Sequence, residues 1–390
     1  MGDSPTRMSC TIEQPDLVDA TQFAVKRVSK DSSDPILGGM LLEAYHGGAF
    51  AVTGFDRDVS HSMEIPRTDI DESEGTAVVS GRKLAELVKT FPRKPVNLEQ
   101  RDSTLVLTCG SVRCTLPLMT AEDYPSLPST ADPIGTINAL VLREHVERVV
   151  GAADTKGENG KPEQTGIHCV FTATTLDMTA TNGYRVAMTR APWNANGVDS
   201  GSPLALVPWS VLGDFVHTLD ADAPVTIGLT DSVISLTGQN RTVVARMLNA
   251  GGYPKFKALP PKAGEPTTVD TAELGAALKR AVLALEPKEA VSLAFDGDTV
   301  AVHGGMDVGG RTAVSSGVAC SHFDTDEDGK RIPKPPLTIT INPEYLGLAL
   351  DACRSATAEL TLVDDPRRPV LVTADRVDGF GWVIMPIRKR

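Results

Sequence analysis

Residues 175–190 read TLDMTATNGYRVAMTR. Leu176, Met178 and Ala180 alternate with polar neighbours, the pattern of a strand with one buried face. The alternation breaks at Asn182-Gly183, the dipeptide that most favours a tight turn with positive φ. An aromatic ring and a guanidinium, Tyr184 and Arg185, follow at once, and then the apolar alternation resumes. An exposed turn with a solvated arginine would also produce this stretch. The rest of the chain has to decide.

At 390 residues the chain is too long for one ordinary core, and two or three domains are expected. Its composition, 41% hydrophobic and 23% charged, is that of a globular protein. No run has the apolar length needed to cross a bilayer. The opening MGDSPTRMSCTIEQPD has no apolar core of a signal peptide, and Gly2 begins no myristoylation pattern. A cytoplasmic protein with no membrane partner is expected. The six cysteines (Cys10, Cys109, Cys114, Cys169, Cys320 and Cys353) form no close-spaced pair of the kind zinc uses. They read as buried or half-buried thiols of a reducing compartment. A net charge of −12 argues against nucleic acid only weakly, because a local basic surface can bind phosphates while acidic surface lies elsewhere.

The chain carries a threefold internal repeat. SGRKLAELVKTF, VPWSVLGDFVHTL and INPEYLGLALDAC each place apolar residues at i, i+3, i+4 and i+7, one buried helical face. With Leu84, Leu212 and Leu346 equivalent, the spacings are 128 and 134 residues, the size of a domain. A strand-turn-strand pattern follows each helix, and another helix lies upstream: LVDATQFAVKRV, LREHVERVVGAA and TAELGAALKRAVLAL. The first two copies close on similar words, DYPSLP and GYPKFKALP, ahead of Pro-rich joints. The fold class expected is α+β: three copies of one unit, each with two helices and antiparallel strands. The domains are expected at 1–133, 134–264 and 265–390.

The polar faces of these helices carry Lys26, Arg27, Lys30, Arg82, Lys83 and Lys89 in the first copy, Arg143 and Arg148 in the second, and Lys279, Arg280 and Arg354 in the third. Acidic residues such as Glu86 and Asp351 are mixed among them. A solvated face explains any one such helix; the recurrence in three equivalent copies points to one shared basic surface. Enzymatic motifs fail. DTDEDG at 324–329 starts like a calcium loop, but Pro335 stands where a bidentate Glu is required. No GxGxxG, no GxxxxGK[ST], no HExxH and no G-x-S-x-G occurs. No catalytic residue, metal or cofactor is assigned.

With the repeat in hand, ATNGYRVA resembles the A-T-D-G-H/Y-R-L-A word of the bacterial DNA polymerase III beta subunit, the sliding clamp. PILGGMLLEA, TGFDRDVSHSMEI, SGRKLAELVKTFP and TAEDYPSLP look like the first domain of that family. TGIHCVF and YPKFKALP look like its second, and INPEYLGLALDA with VIMPIRKR like its third. The resemblance implies three clamp domains per chain and a homodimer closed head to tail into a ring. Helices would face double-stranded DNA without reading its sequence, and sheets would form the outer wall. It implies a non-catalytic subunit of the polymerase III holoenzyme, with the polymerase alpha subunit, a clamp-loader ATPase and other carriers of a Leu/Phe clamp-binding peptide as partners.

Carried over by position, the peptide groove would be walled by Thr181, Gly183, Tyr184, Arg185, Val186 and Pro254. The third domain would add Asn342, Tyr345, Val383, Ile384, Met385, Pro386, Ile387 and Arg388. Arg185 is expected at the groove rim, carrying little of the core. DNA-facing residues would be Lys26, Arg27, Lys30, Arg82, Lys83, Arg143, Arg148, Lys279, Arg280 and Arg354. Cys114 and Leu116 would meet Val282 and Leu283 at the dimer interface. The sequence departs from the family pattern at Asn182 for Asp, at Gln164 for a groove leucine and at Cys114 for Phe. A second clamp copy with an altered groove, specialised for repair or for resisting groove-binding inhibitors, is the alternative reading.

Overall fold

The structure, a computed structural model, describes residues 8–390 apart from 31–33, 47, 69–73, 197–201, 257–264, 288, 306–311, 364, 375–376, 378 and 388–390. Among the described residues there are six α-helices: α1 Gln14–Ala24, α2 Gly81–Lys89, α3 Ala139–Val150, α4 Trp209–Val216, α5 Thr271–Val282 and α6 Pro343–Cys353. They fall on the six segments with helical periodicity, and local chemistry sets their ends. Asn342 caps α6 by accepting from the N–H groups of Glu344 and Tyr345, with Pro343 preset for the first turn. Asp270 caps α5 through the N–H of Glu273. The apolar stripe of α2 buries Leu84, Ala85 and Val88.

Helix and strand lie in backbone contact at two equivalent places. A Cβ at Gly54 would stand 2.0 Å from the Ala24 carbonyl oxygen, and one at Gly304 would stand 2.2 Å from that of Ala281. Only glycine permits so close an approach.

Among the described residues the strands of both sheets pair antiparallel with their neighbours at the joints and within the hairpins. The chain divides into two compact units, residues 1–140 with 214–247 and residues 141–213 with 248–390. In the first unit the strands run in the order Ser9–Ile12, Val96–Arg101, Thr104–Cys109, Val112–Met119, Gly75–Ser80, Gly39–Ala44, Ala49–Phe55, Val59–Pro66, Arg241–Arg246, Val233–Gly238, Pro224–Leu229, Pro133–Asn138. In the second unit the order is Leu204–Pro208, Gly166–Phe171, Thr175–Thr181, Arg185–Pro192, Gly381–Ile384, Val370–Ala374, Thr357–Thr361, Thr267–Asp270, Ala313–Ser321, Thr299–Gly305, Val291–Asp296, Leu337–Ile341.

Each unit therefore contains one joint at which strands of two repeats pair. In the first, Ser60 faces Val244 and His61 faces Val243. In the second, Val186 faces Val383 and Ala187 faces Trp382. Ser60 and Val186 are themselves equivalent, each being the partner of the last residue of the preceding strand, Phe55 or Thr181. The two joints share one register.

Candidate peptide groove and helix faces

The hairpin at 175–192 does not close on a two-residue turn. Thr181 pairs with Val186, which leaves four residues, Asn182 to Arg185, in the loop. Only Gly183 takes a positive φ, 89°. Asn182 shapes the loop with its side chain: Oδ1 accepts from the N–H groups of Tyr184 and Arg185. Thr181 Oγ1 accepts from Gly183 N–H and donates to the Arg185 carbonyl at 2.7 Å.

Tyr184 and Arg185 then go opposite ways. Tyr184 is 60% exposed, whereas Arg185 is 7% exposed. The Arg185 guanidinium lies over the Tyr345 ring, 4.2 Å from its centroid, and Nε donates to the Ala152 carbonyl. Burial pulls the Arg185 pKa below its usual value. The expectation that Arg185 carries little of the core is corrected: this side chain belongs to the interior behind the groove.

Residues directly opposite in an antiparallel ladder share a face. Thr179, Thr181, Val186, Met188 and Val383 thus line one side of the sheet, and Ala180, Ala187 and Trp382 the other. The second side is covered by α3, where Trp382 Nε1 donates to the Arg148 carbonyl at 2.9 Å. The first side is only partly covered: Thr179 and Thr181 are buried, whereas Val186, Met188 and Val383 are half-buried. At one end Tyr253 donates to the Thr179 carbonyl and stacks on His168 at 5.1 Å, fixing the neighbouring Pro254. A pocket of about 290 Å³ lies there, lined by His168, Thr179, Leu204, Tyr253, Pro254 and Phe256. At the other end Met385 N–H donates to the Tyr184 carbonyl, and Ile387 N–H to that of Thr340. Asn182 Nδ2 donates to the Tyr345 hydroxyl, joining the turn to α6.

Thirteen of the fourteen groove residues expected from the sequence are described, all in the second unit; Arg388 lies outside the described residues. Ile384 is corrected, being fully buried opposite Arg185 on the Trp382 side of the sheet. Gln164 is buried against Gly183 and accepts from Asn159 Nδ2, which also donates to the Asn182 carbonyl. Sequence reading missed Asn159, a polar residue in a Gly-rich loop with no periodicity to mark it.

The basic helix residues divide into free and engaged groups. Lys30, Lys83 and Lys279 are exposed, and so is Arg280, which donates to Ser316 Oγ. Lys26 and Arg27 both reach Asp214, the latter at 2.9 Å, while Arg27 Nε donates to His61 Nε2. Arg82 donates to the Val28 carbonyl, and Arg354 is paired with Glu147. Arg143 is half-buried. Arg148 corrects the sequence expectation. It is 9% exposed, lies over Phe380 and donates to the carbonyls of Ala352 and Cys353, so it offers no charge at the surface.

Of the expected interface residues, Val282 is exposed, Leu283 is 84% exposed and Cys114 is half-buried. Leu116, at 4%, is already covered within its own chain.

Repeated α+β modules joined edge to edge, with helices on one side of the sheet and a groove on the other, define a clamp-type protein. The model of the DNA polymerase III beta subunit N-terminal domain matches residues 8–128, and that of its central domain matches residues 136–255. The beta sliding clamp of Streptomyces coelicolor is 28% identical over 392 residues, covering 98% of this chain and 99% of its own. The beta sliding clamp homolog GriR of Streptomyces muensis is also 28% identical, with the same coverage. The crystal structure of the Bacillus subtilis DNA polymerase sliding clamp matches with a TM-score of 0.86 at 25% identity, covering 98% of this chain and all of that one. This chain belongs to the DNA polymerase III beta subunit family, the sliding clamps. No described helix is long and apolar enough to cross a membrane.

Proposed function

We propose that this chain is a replicative processivity clamp: a non-catalytic, cytoplasmic protein with domains at 1–133, 134–264 and 265–390. Two copies close head to tail around double-stranded DNA. The groove between Tyr184 and Met385 holds a Leu/Phe peptide of the polymerase III alpha subunit, of the clamp-loader ATPase or of other DNA-processing proteins. Lys26, Arg27, Lys30, Arg82, Lys83, Arg143, Lys279, Arg280 and Arg354 are the candidate phosphate contacts, and Arg148 is left out. The charges act without base readout, as sliding requires.

The shared register of the two joints carries this reading. Three repeats make two joints within a chain and leave one pair of edges over: Val112–Met119, which meets Gly75–Ser80 only at its far end, and Ala313–Ser321, which meets Thr267–Asp270 only at its far end. Extending the register sets Cys114 opposite Val314 of a second copy. The equivalents of Cys114 are Val243 and Trp382, both fully buried. A half-buried Cys114 is what an unfilled joint leaves.

Leu283 supports the same pairing. Its equivalent, one residue past the end of α3, is Gly151, where a Cβ would stand 3.3 Å from the Trp382 ring. A small residue there meets a large one, Gly151 with Trp382. At the open joint the sizes are exchanged, large Leu283 facing small Cys114. Two identical head-to-tail contacts of this kind close a dimer.

The test is retention on DNA. Rings loaded on a nicked circular plasmid should stay bound and leave when the plasmid is linearised; equal retention on both forms contradicts encirclement. The second reading, a clamp copy with an altered groove, is favoured by buried Gln164 on the groove wall. Binding of the replicative polymerase tail separates the two, being tight for the replicative clamp and weak for the altered copy.

A further inference from the structure

The turn at the groove has a structural twin at the other joint. In Phe55-Asp56-Arg57-Asp58-Val59-Ser60, Phe55 pairs with Ser60 across four loop residues, as Thr181 pairs with Val186. Asp56 Oδ1 accepts from the N–H groups of Asp58 and Val59, as Asn182 Oδ1 accepts from those of Tyr184 and Arg185. Arg246 N–H donates to the Asp58 carbonyl at 2.8 Å, as Met385 N–H donates to that of Tyr184 at 3.0 Å. Pro125 of DYPSLP matches Pro254 of GYPKFKALP. A cleft of about 540 Å³ opens at this place, with Phe55, Pro125, Pro128 and Val233 as its apolar lining and Arg57, Asp58 and Arg246 at its mouth.

The side chains at the mouth are what differ. Gly183 is replaced by Arg57 and Met385 by Arg246. Arg57 sits at φ 80°, a conformation that glycine adopts freely and an arginine only under strain. Strained backbone of this kind clusters at active sites and ligand clamps. Both guanidiniums are mostly exposed; Arg57 reaches Asp34, and Arg246 lies 3.9 Å from Asp58, exposed pairs that a competing carboxylate can displace at little cost.

We propose that this cleft is a second peptide-docking site, for an extended segment with an aliphatic or proline anchor flanked by Asp and Glu. The anchor lies on Phe55, Pro125 and Val233, and the carboxylates meet Arg57 and Arg246 as charge-assisted pairs. The inference borrows its kind of ligand from the groove reading, and its chemistry from these two arginines.

The test uses the full-length protein and fluorescence anisotropy with three labelled peptides. One has a Leu-Pro-Leu centre between Asp-Glu pairs, one has the same centre between Lys pairs, and one is a Leu/Phe clamp-binding peptide. The acidic peptide should bind saturably, weaken with salt and lose about tenfold in affinity or more in Arg57→Gly with Arg246→Ala. It should be indifferent to Met385→Ala. Arg57→Gly alone should melt no lower than the parent, because the turn prefers glycine. The Leu/Phe peptide should show the reverse dependence. If only the Leu/Phe peptide fails to bind, the groove reading falls and this site stands. Equal binding of acidic and basic peptides, loss on Met385→Ala, or no saturable binding of the acidic peptide would overturn the proposal.

Discussion

The Arg185 guanidinium lies over the Tyr345 ring, 4.2 Å from its centroid, and so ties the hairpin turn to α6 from beneath the groove. Asn182 makes the same connection through the Tyr345 hydroxyl, at 3.2 Å. One tyrosine holds both ends of a four-residue loop, and the loop's exposed member, Tyr184, is left free to face a ligand.

Arg185→Ala should therefore destabilise the protein. Loss of a buried stack and of packed side-chain volume corresponds to about 1–3 kcal/mol. Urea denaturation checks this. A midpoint unchanged from the parent would mean the stack contributes nothing.

Asn182 makes a narrower prediction. Asn182→Asp keeps the acceptor for both N–H groups of the loop, and the Tyr345 hydroxyl can turn to donate to it, so the variant should stay within about 0.5 kcal/mol of the parent. Asn182→Ala leaves those donors unpaired and should cost about 1–2 kcal/mol. Equal melting of the two variants would remove the side chain from the account.

Met385→Ala separates binding from stability. Met385 is exposed, so truncation should leave the melting temperature in place while weakening a Leu/Phe peptide by about tenfold, roughly 1.4 kcal/mol. Peptide titration by fluorescence anisotropy reads it. Unchanged affinity in the folded variant would return residues 182–185 to the role of a plain turn.

The helices were legible because apolar spacing reports one buried face whatever lies above it, as Leu84, Leu212 and Leu346 show. Burial of long polar side chains was not legible. Arg148 and Arg185 sit at positions where a surface arginine would fit the local pattern equally well. Their burial follows from Phe380 and Tyr345, distant in sequence, arriving on top of them. Asn182-Gly183 announced a turn, but its length was set by the register of Thr181 with Val186, which depends on the whole ladder. The equivalence of Arg57 to Gly183 was hidden for the same reason: the two residue types share nothing, and only the backbone makes them match.

Acid should weaken the fold through buried His61 and half-buried His145. His61 is pushed down to about 3 by burial and then by Arg27, and His145 to about 4 by burial and then by Arg148. Both are depressed relative to the unfolded chain, so the unfolded state binds more protons below the ordinary histidine value of about 6.5. Stability is fully present above that pH and falls as the pH drops toward the folded values. Between pH 7 and pH 5 His61 should withdraw about 1–2 kcal/mol, and the half-buried, partly screened His145 less. Urea midpoints at the two pH values measure this, and His61→Gln should flatten the dependence. A pH-independent midpoint would show that neither ring is held neutral.

The central claim is that the edge at Val112–Pro117 and the exposed Val282 and Leu283 meet in a second copy, completing a ring. Light scattering of the full-length protein at micromolar concentration tests this most directly. The account predicts the mass of two chains, and the mass of one for Val282→Glu with Leu283→Glu, which remains folded because both side chains are exposed. A parent protein with the mass of a single chain would contradict it.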